Sequence, residues 1–116
     1  MELYNYKAVV KSVYDGDTVT ADIDLGFYMI QKKVKIRLYG INTPELRGGT
    51  DETRKAGYHA RDFLRQRVLN QEVVLFCKGK GKYGRWLCEI FVKDGEELVS
   101  MNEALITKGL AERYLV

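Results

Sequence analysis

Proline is nearly missing from this sequence: Pro44 is the only one in 116 residues, and 46% of the residues are hydrophobic. Such a composition excludes a disordered chain and argues for one folded domain, 1–116, large enough to bury a core without staples. Cysteine is scarce as well. Cys77 and Cys88 are too few for a disulfide scaffold and show no CxxC metal spacing. They are read as two reduced, partly buried thiols flanking a hairpin, where a cross-strand bridge stays geometrically open. The single histidine, His59, has no second His or Cys at ligand spacing and is read as a partly buried surface residue. No stretch approaches the ~18 apolar residues of a membrane span, so no membrane association is expected. The start, "MELYNYKAVV", has no apolar segment behind a basic one. On the chain as given the expected compartment is the cytoplasm, with secretion through a removed leader left open.

A large excess of charge is absent too. The net charge of +3 and pI near 8.8 permit an anionic partner without requiring one. The distribution says more. "KGKGKYGR" (78–85) and "KKVKIR" (32–37) each hold four cations and no acid, whereas carboxylates collect in "DGDT", "PEL", "TDETR" and "DGEE". Two basic runs of this kind predict a positive face.

What is present in quantity is β-pattern. "YKAVVKSVY" (6–14) and "TVTADIDLGF" (18–27) are rich in β-branched residues and separated by "DGD", a hairpin signal. Val19, Ala21, Ile23 and Leu25 alternate with polar residues, and in "KVKIRLYGI" (33–41) Val34, Ile36 and Leu38 oppose Lys35, Arg37 and Tyr39. A three-stranded meander follows. "LRGGTDETRKAG" (46–57) reads as a mobile loop. From Tyr58 to about Leu69 the spacing becomes helical, with Ala60, Phe63, Leu64 and Val68 in one stripe. Strands are predicted over 72–78 and 86–92, and a turn at "KDGE" (93–96). Then "SMNE" (100–103) is a capping box opening a short helix that Gly109 ends. The fold class is therefore β-rich α+β: a five-stranded OB-type barrel with a helix between strands 3 and 4 and a short C-terminal helix.

Several residues stand where chemistry could sit. In "YDGDT" turn chemistry accounts for Asp15 and Gly16, whereas Asp17 is placed at the start of a strand, free to bind a hard cation through oxygen. In "GINTPE" the proline disfavours helix at Thr43 and stops strand pairing at its own nitrogen, leaving the Thr43 carbonyl free and Glu45 on a stiff turn. Taken singly, each has an ordinary explanation: a turn, a solvated glutamate, and solvated cations at Arg37 and Arg85. Trp86 is read as barrel core rather than a stacking platform.

Together these pieces resemble one family. "VYDGDTV", "IRLYGINTPE", "GKYGRWL" and "VSMNEALITKGLA" occur in the order and spacing of staphylococcal-nuclease-like (thermonuclease) domains, from about Tyr6 to Tyr114. The resemblance implies an OB-fold barrel and calcium-dependent, sugar-nonspecific hydrolysis of phosphodiester bonds in DNA and RNA. It implies one Ca²⁺ held by Asp17, by the Thr43 carbonyl and at the position of Asn42, and Glu45 activating or positioning water. It also implies Arg37 and Arg85 as the two arginines of catalysis, and a nucleotide pocket from Lys82 and Tyr83, with Tyr114 a further candidate. Lys78 and Lys80 are expected to steer phosphate. Single-stranded or frayed nucleic acid is the favoured partner, and no obligate protein partner is evident. Two departures bear on this. Asn42 stands where the family has a second acid, so calcium affinity should fall. The family's last helix is also missing, and "ERYLV" follows "GLA". The alternative is a nucleic-acid-binding module with weakened catalysis, and a scaffold for a protein partner is the third reading.

Overall fold

A computed structural model describes residues 4–81 and 83–114. Strands β1 (Tyr4–Asp15), β2 (Thr18–Gly26) and β3 (Met29–Leu38) form the expected antiparallel meander. After the two-residue strand β4 (Ile41–Asn42), the chain enters helix α1 (Asp51–Val68), then β5 (Glu72–Lys80) and β6 (Trp86–Asp94). β5 pairs antiparallel with β1, and β6 with β5. A short parallel ladder, Ile36↔Trp86 to Leu38↔Cys88, joins β3 to β6 and closes the five long strands into a barrel. β7 (Glu97–Ser100) extends β6 as a hairpin, α2 (Met101–Thr107) follows, and β8 (Glu112–Arg113) pairs with β4. β4, β7 and β8 were not expected, because two to four residues carry too little alternation to be read.

The inward rows behave as their alternation predicts. Val19 and Ala21 on β2, Ile36 and Leu38 on β3, Leu75 on β5 and Ile90 on β6 are essentially removed from water. Ala60, Leu64 and Val68 of α1 join the same core. Truncating any of the large ones to alanine would cost about 2–5 kcal/mol. Leu25 departs from its row. It lies beyond the barrel, on a hairpin arm whose tip residues Phe27 and Tyr28 are fully exposed and hold φ of 54° and 62°. The arm is longer than expected because β3 begins at Met29 rather than at residue 33. Cys77 and Cys88 face each other across β5 and β6, buried and unbridged.

Helix α1 starts seven residues earlier than the periodicity indicates. Thr50 caps it: its hydroxyl accepts from Thr53 N at 3.2 Å, and the Thr53 hydroxyl accepts from Thr50 N at 2.9 Å. Asp51 and Glu52 then meet the positive end of the helix dipole. Glycine density made 46–57 look like a loop, yet Gly57 is helical for a packing reason. A Cβ there would lie 2.7 Å from Pro44 O and 2.9 Å from Glu45 O. The helix thus supports the turn carrying Glu45.

At the other side of the seam, Ser100 caps α2 by accepting from Glu103 N. The reciprocal half of the expected box is absent, because the Glu103 carboxylate pairs with Arg113 instead. The next residue but one from the cap, Asn102, is buried. Its amide nitrogen donates to Tyr39 O (2.9 Å) and Cys88 O (3.3 Å), and its oxygen accepts from Ile90 N (3.1 Å). One side chain therefore spans the ends of β3 and β6.

Replacing glycine by alanine inside a helix normally stabilises it by about 1 kcal/mol. Gly57→Ala is expected to do the reverse here, losing about 1–2 kcal/mol net in urea unfolding, because the methyl meets rigid backbone carbonyls. A more stable variant would show that the 44–45 segment does not rest on the helix.

Candidate active site

The site forms where the β1–β2 turn, the end of β3 and the segment after β4 converge. Ser12 and Tyr14 on β1, Thr18 and Thr20 on β2, and Lys35 and Arg37 on β3 supply its wall. The cross-strand pairs Thr18↔Arg37 and Thr20↔Lys35 set those side chains abreast. Asp15, Asp17, Asn42, Thr43, Glu45 and Arg85 complete a cleft of about 550 Å³.

The turn itself is tighter than expected. β1 runs through Asp15, which pairs with Thr18, so Gly16 and Asp17 are the two turn residues. Asp17 does not begin the strand; it serves the turn, and Asp15 Oδ1 accepts its backbone N–H at 3.0 Å. Gly16 is required by space rather than by dihedral freedom. A Cβ would fall 2.7 Å from Ala60 Cβ and 2.8 Å from Thr43 Cγ2.

Asp17 is 6% exposed and almost fully partnered. Its Oδ2 accepts from Thr43 N at 3.0 Å and lies 3.4 Å from Arg37 Nη1, and its Oδ1 accepts from the Thr18 hydroxyl at 3.2 Å. Its carbonyl accepts from Leu38 N at 2.8 Å. Arg37 is held by donating to Leu38 O at 2.9 Å, and its other arm reaches Asn42 Oδ1 at a long 3.4 Å. The Thr43 hydroxyl is buried with no hydrogen-bond partner among the described residues. Glu45 is exposed and has no hydrogen bond or ion pair among the described residues. Arg85 is half-buried, its guanidinium 5.5 Å from the Tyr83 ring.

The structure thus brings Asp17, Arg37, Asn42, Thr43, Glu45 and Arg85 together. It leaves Tyr83 and Tyr114 exposed and outside the cleft lining, and Lys82 lies outside the described residues. Trp86 is not core but 40% exposed. His59 is exposed on α1. Two groups escaped the sequence reading. Lys35 shares the outward row with Arg37, a signal visible in the alternation. Asp15 was assigned to turn chemistry, and it does cap the turn, but its carboxyl also faces Asp17. Burial, then the hydrogen bond and charge of Asp17, push Asp15 up to about 6.

A family model described as "Staphylococcal nuclease homologue" matches residues 35–116. The chain belongs to the staphylococcal nuclease family. Among relatives, an uncharacterized protein of Methanocaldococcus jannaschii is 30% identical over 96% of this chain. The thermonucleases of Staphylococcus hyicus and Staphylococcus intermedius are each 33% identical, over 91% and 89% of it. The chain spans 56–60% of the length of these relatives. The closed five-stranded barrel with two helices is the fold consistent with the staphylococcal nuclease family, as the sequence motifs implied.

Asp15 gives a pH test of this geometry. Its folded pKa lies above the usual carboxylate value, so the fold prefers the protonated form. Its contribution is fully present below about pH 4, is lost as pH rises through the folded value of about 6, and is level above that. Asp15→Asn is expected to flatten this fall and to be more stable than wild type at pH 7, measured as thermal midpoints in chelator between pH 4 and 8. Parallel curves for the two proteins would show that burial and Asp17 do not raise the Asp15 carboxyl.

Proposed function

We propose that this chain is a calcium-dependent, sugar-nonspecific nuclease that hydrolyses phosphodiester bonds of DNA and RNA by attack of water. The observation that carries the reading is the convergence of Arg37, Arg85, Glu45 and Asp17 on one cleft. Hydrolysis adds negative charge to an already anionic phosphorus centre. Arg37, anchored through Leu38 O, and Arg85, from the opposite side of the barrel seam, are placed to donate to phosphate oxygens as that charge grows. Glu45 is an uncommitted carboxylate on a turn stiffened by Pro44 and backed by Gly57. It suits the orientation of water and the uptake of its proton.

The donor set fits calcium. Among the described residues no three His, Cys, Asp or Glu side chains gather as a metal cage. The ion would rest on Asp17 with the amide oxygen of Asn42 and the carbonyl of Thr43, an all-oxygen set of the kind Ca²⁺ takes. Thr43 also holds a buried hydroxyl with no hydrogen-bond partner among the described residues. Asp15 sets a second carboxyl beside Asp17, where Asn42 brings none. When bound, calcium supplies Lewis-acid polarisation of the phosphate and a template for water. Asp17 would be the anionic ligand of the ion, and Arg37 beside it would face the substrate phosphate.

Lys82, Tyr83 and Tyr114 are proposed as nucleotide-binding residues, and single-stranded or frayed DNA or RNA as substrate. The alternative is a binding module with weakened catalysis, favoured by the uncharged Asn42 in the proposed ion site.

Wild type is expected to release acid-soluble nucleotides from single-stranded DNA in Ca²⁺ and to stop when a chelator is added. Glu45→Ala should lower the rate by about 10²- to 10⁴-fold. Equal rates for wild type and Glu45→Ala would refute the mechanism, and salt-sensitive binding without turnover under any divalent ion would favour the binding module. Asn42→Asp should reach half-maximal rate at lower Ca²⁺. An unchanged calcium dependence would remove Asn42 from the ligand set.

A further inference from the structure

We propose that a second groove, beside the cleft, is a track for the single-stranded nucleic acid that flanks the scissile phosphate. This inference rests on the nuclease reading of the cleft, and it extends the binding surface to the β2–β3 arm. The groove, of about 740 Å³, lies between that arm and the β5–β6 hairpin. Lys32, Lys33 and Lys35 line it from one side and Lys78 from the other, and no Asp or Glu is among its described lining residues. Between the lysines runs an apolar floor that includes Ile23, Val34 and Trp86. Unpaired bases offer flat apolar faces and a line of phosphates. A floor with an exposed indole between cations complements both, whereas a duplex hides its base faces.

The groove adjoins the cleft. Lys35 belongs to both, and Arg85 of the cleft precedes Trp86 of the groove. Trp86 is the sole tryptophan, 40% exposed, with the Lys80 ammonium 5.9 Å from its ring centre.

The lysine pair is not a by-product of alternation. In a regular strand Lys32 and Lys33 would point to opposite faces. Here the register of β2 with β3 shifts between Ala21↔Val34 and Ile23↔Gln31, so Lys32 and Lys33 together face Asp22 in a bulge. Lys33 takes φ of 57°, a left-handed conformation uncommon for a lysine, and Asp22 Oδ1 holds its N–H at 3.0 Å. That conformation costs on the order of 1 kcal/mol. Its geometric result is that both successive lysines line the groove. The arm's own acids do not: Asp22 and Asp24 line a neighbouring depression, which Lys32 also borders, and Asp24 is engaged by Gly26 N.

The test uses the full chain in chelator, so that binding is read without turnover, with the oligonucleotide (dT)12 as probe. Wild type is expected to bind with quenching of Trp86 fluorescence. Lys32→Gln/Lys33→Gln should bind about 10-fold more weakly near 50 mM salt, and the slope of log K against log salt should lessen by about 1.4, two single-strand phosphates' worth. Lys93→Gln/Lys108→Gln, which removes equal charge away from the groove, should change the affinity less than twofold. Equal weakening by the two double variants, unchanged affinity in the first, or no quenching of Trp86 would overturn the proposal. So would polyglutamate binding with the same dependence on Lys32 and Lys33, which would assign the groove to an acidic protein segment. Cleavage by wild type in Ca²⁺ is scored separately. Cleavage of a dinucleotide without groove-dependent (dT)12 binding refutes the groove and leaves the nuclease standing; groove-dependent binding without cleavage does the opposite.

Discussion

The buried carboxylate of Asp17 is the point on which the site depends. A charge taken out of water must find partners, or the fold loses several kcal/mol. Asp17 finds them in three places along the chain: the Thr18 hydroxyl beside it, the Arg37 guanidinium on β3, and the Thr43 N–H, 26 residues away. Its carbonyl takes a fourth, Leu38 N. Satisfying one acid therefore fixes the β1–β2 turn, the end of β3 and the segment after β4 relative to one another. Arg37, Asn42 and Glu45 inherit their positions from that arrangement.

Steric allowance does the rest. Two glycines, Gly16 in the turn and Gly57 in α1, stand where any side chain would strike Ala60, Thr43 or the carbonyls of residues 44 and 45. They let the helix approach the turn and the Thr-Pro segment closely. The barrel supplies rigid strands and the helix supplies backing, so Glu45 sits on a loop without having a loop's freedom. The strain elsewhere has a different character. Phe27, Tyr28 and Lys33 hold left-handed backbone in the β2–β3 arm, away from the core, where packing does not require it.

Much of this was legible beforehand. Alternation in 18–27 and 33–41 identified the inward rows, because a barrel strand with one wet face prints its burial onto the sequence at period two. The motifs around Asp17, Thr43 and Arg85 located the cleft because their spacing, not their individual chemistry, was specific. What escaped was decided by contacts between distant segments. The start of α1 was hidden by glycines that serve helix–loop packing. Asp15 looked like a turn residue because its second role depends on a two-residue turn placing it beside Asp17. Trp86 was read as core from its type alone, yet at the first position of β6 its ring is 40% exposed. Asn102 lay inside a recognised capping box and was passed over, since nothing local announces that its amide will serve three backbone groups of other strands.

Asn102 also couples the cleft to a helix that stands apart from it. Arg37 and Arg85 flank the β3–β6 seam, and the seam itself is only three residue pairs long. From α2, Asn102 bonds to backbone on both sides of that seam, at Tyr39, Cys88 and Ile90. The spacing of the two guanidiniums therefore leans on an element that lends no described residue to the cleft lining.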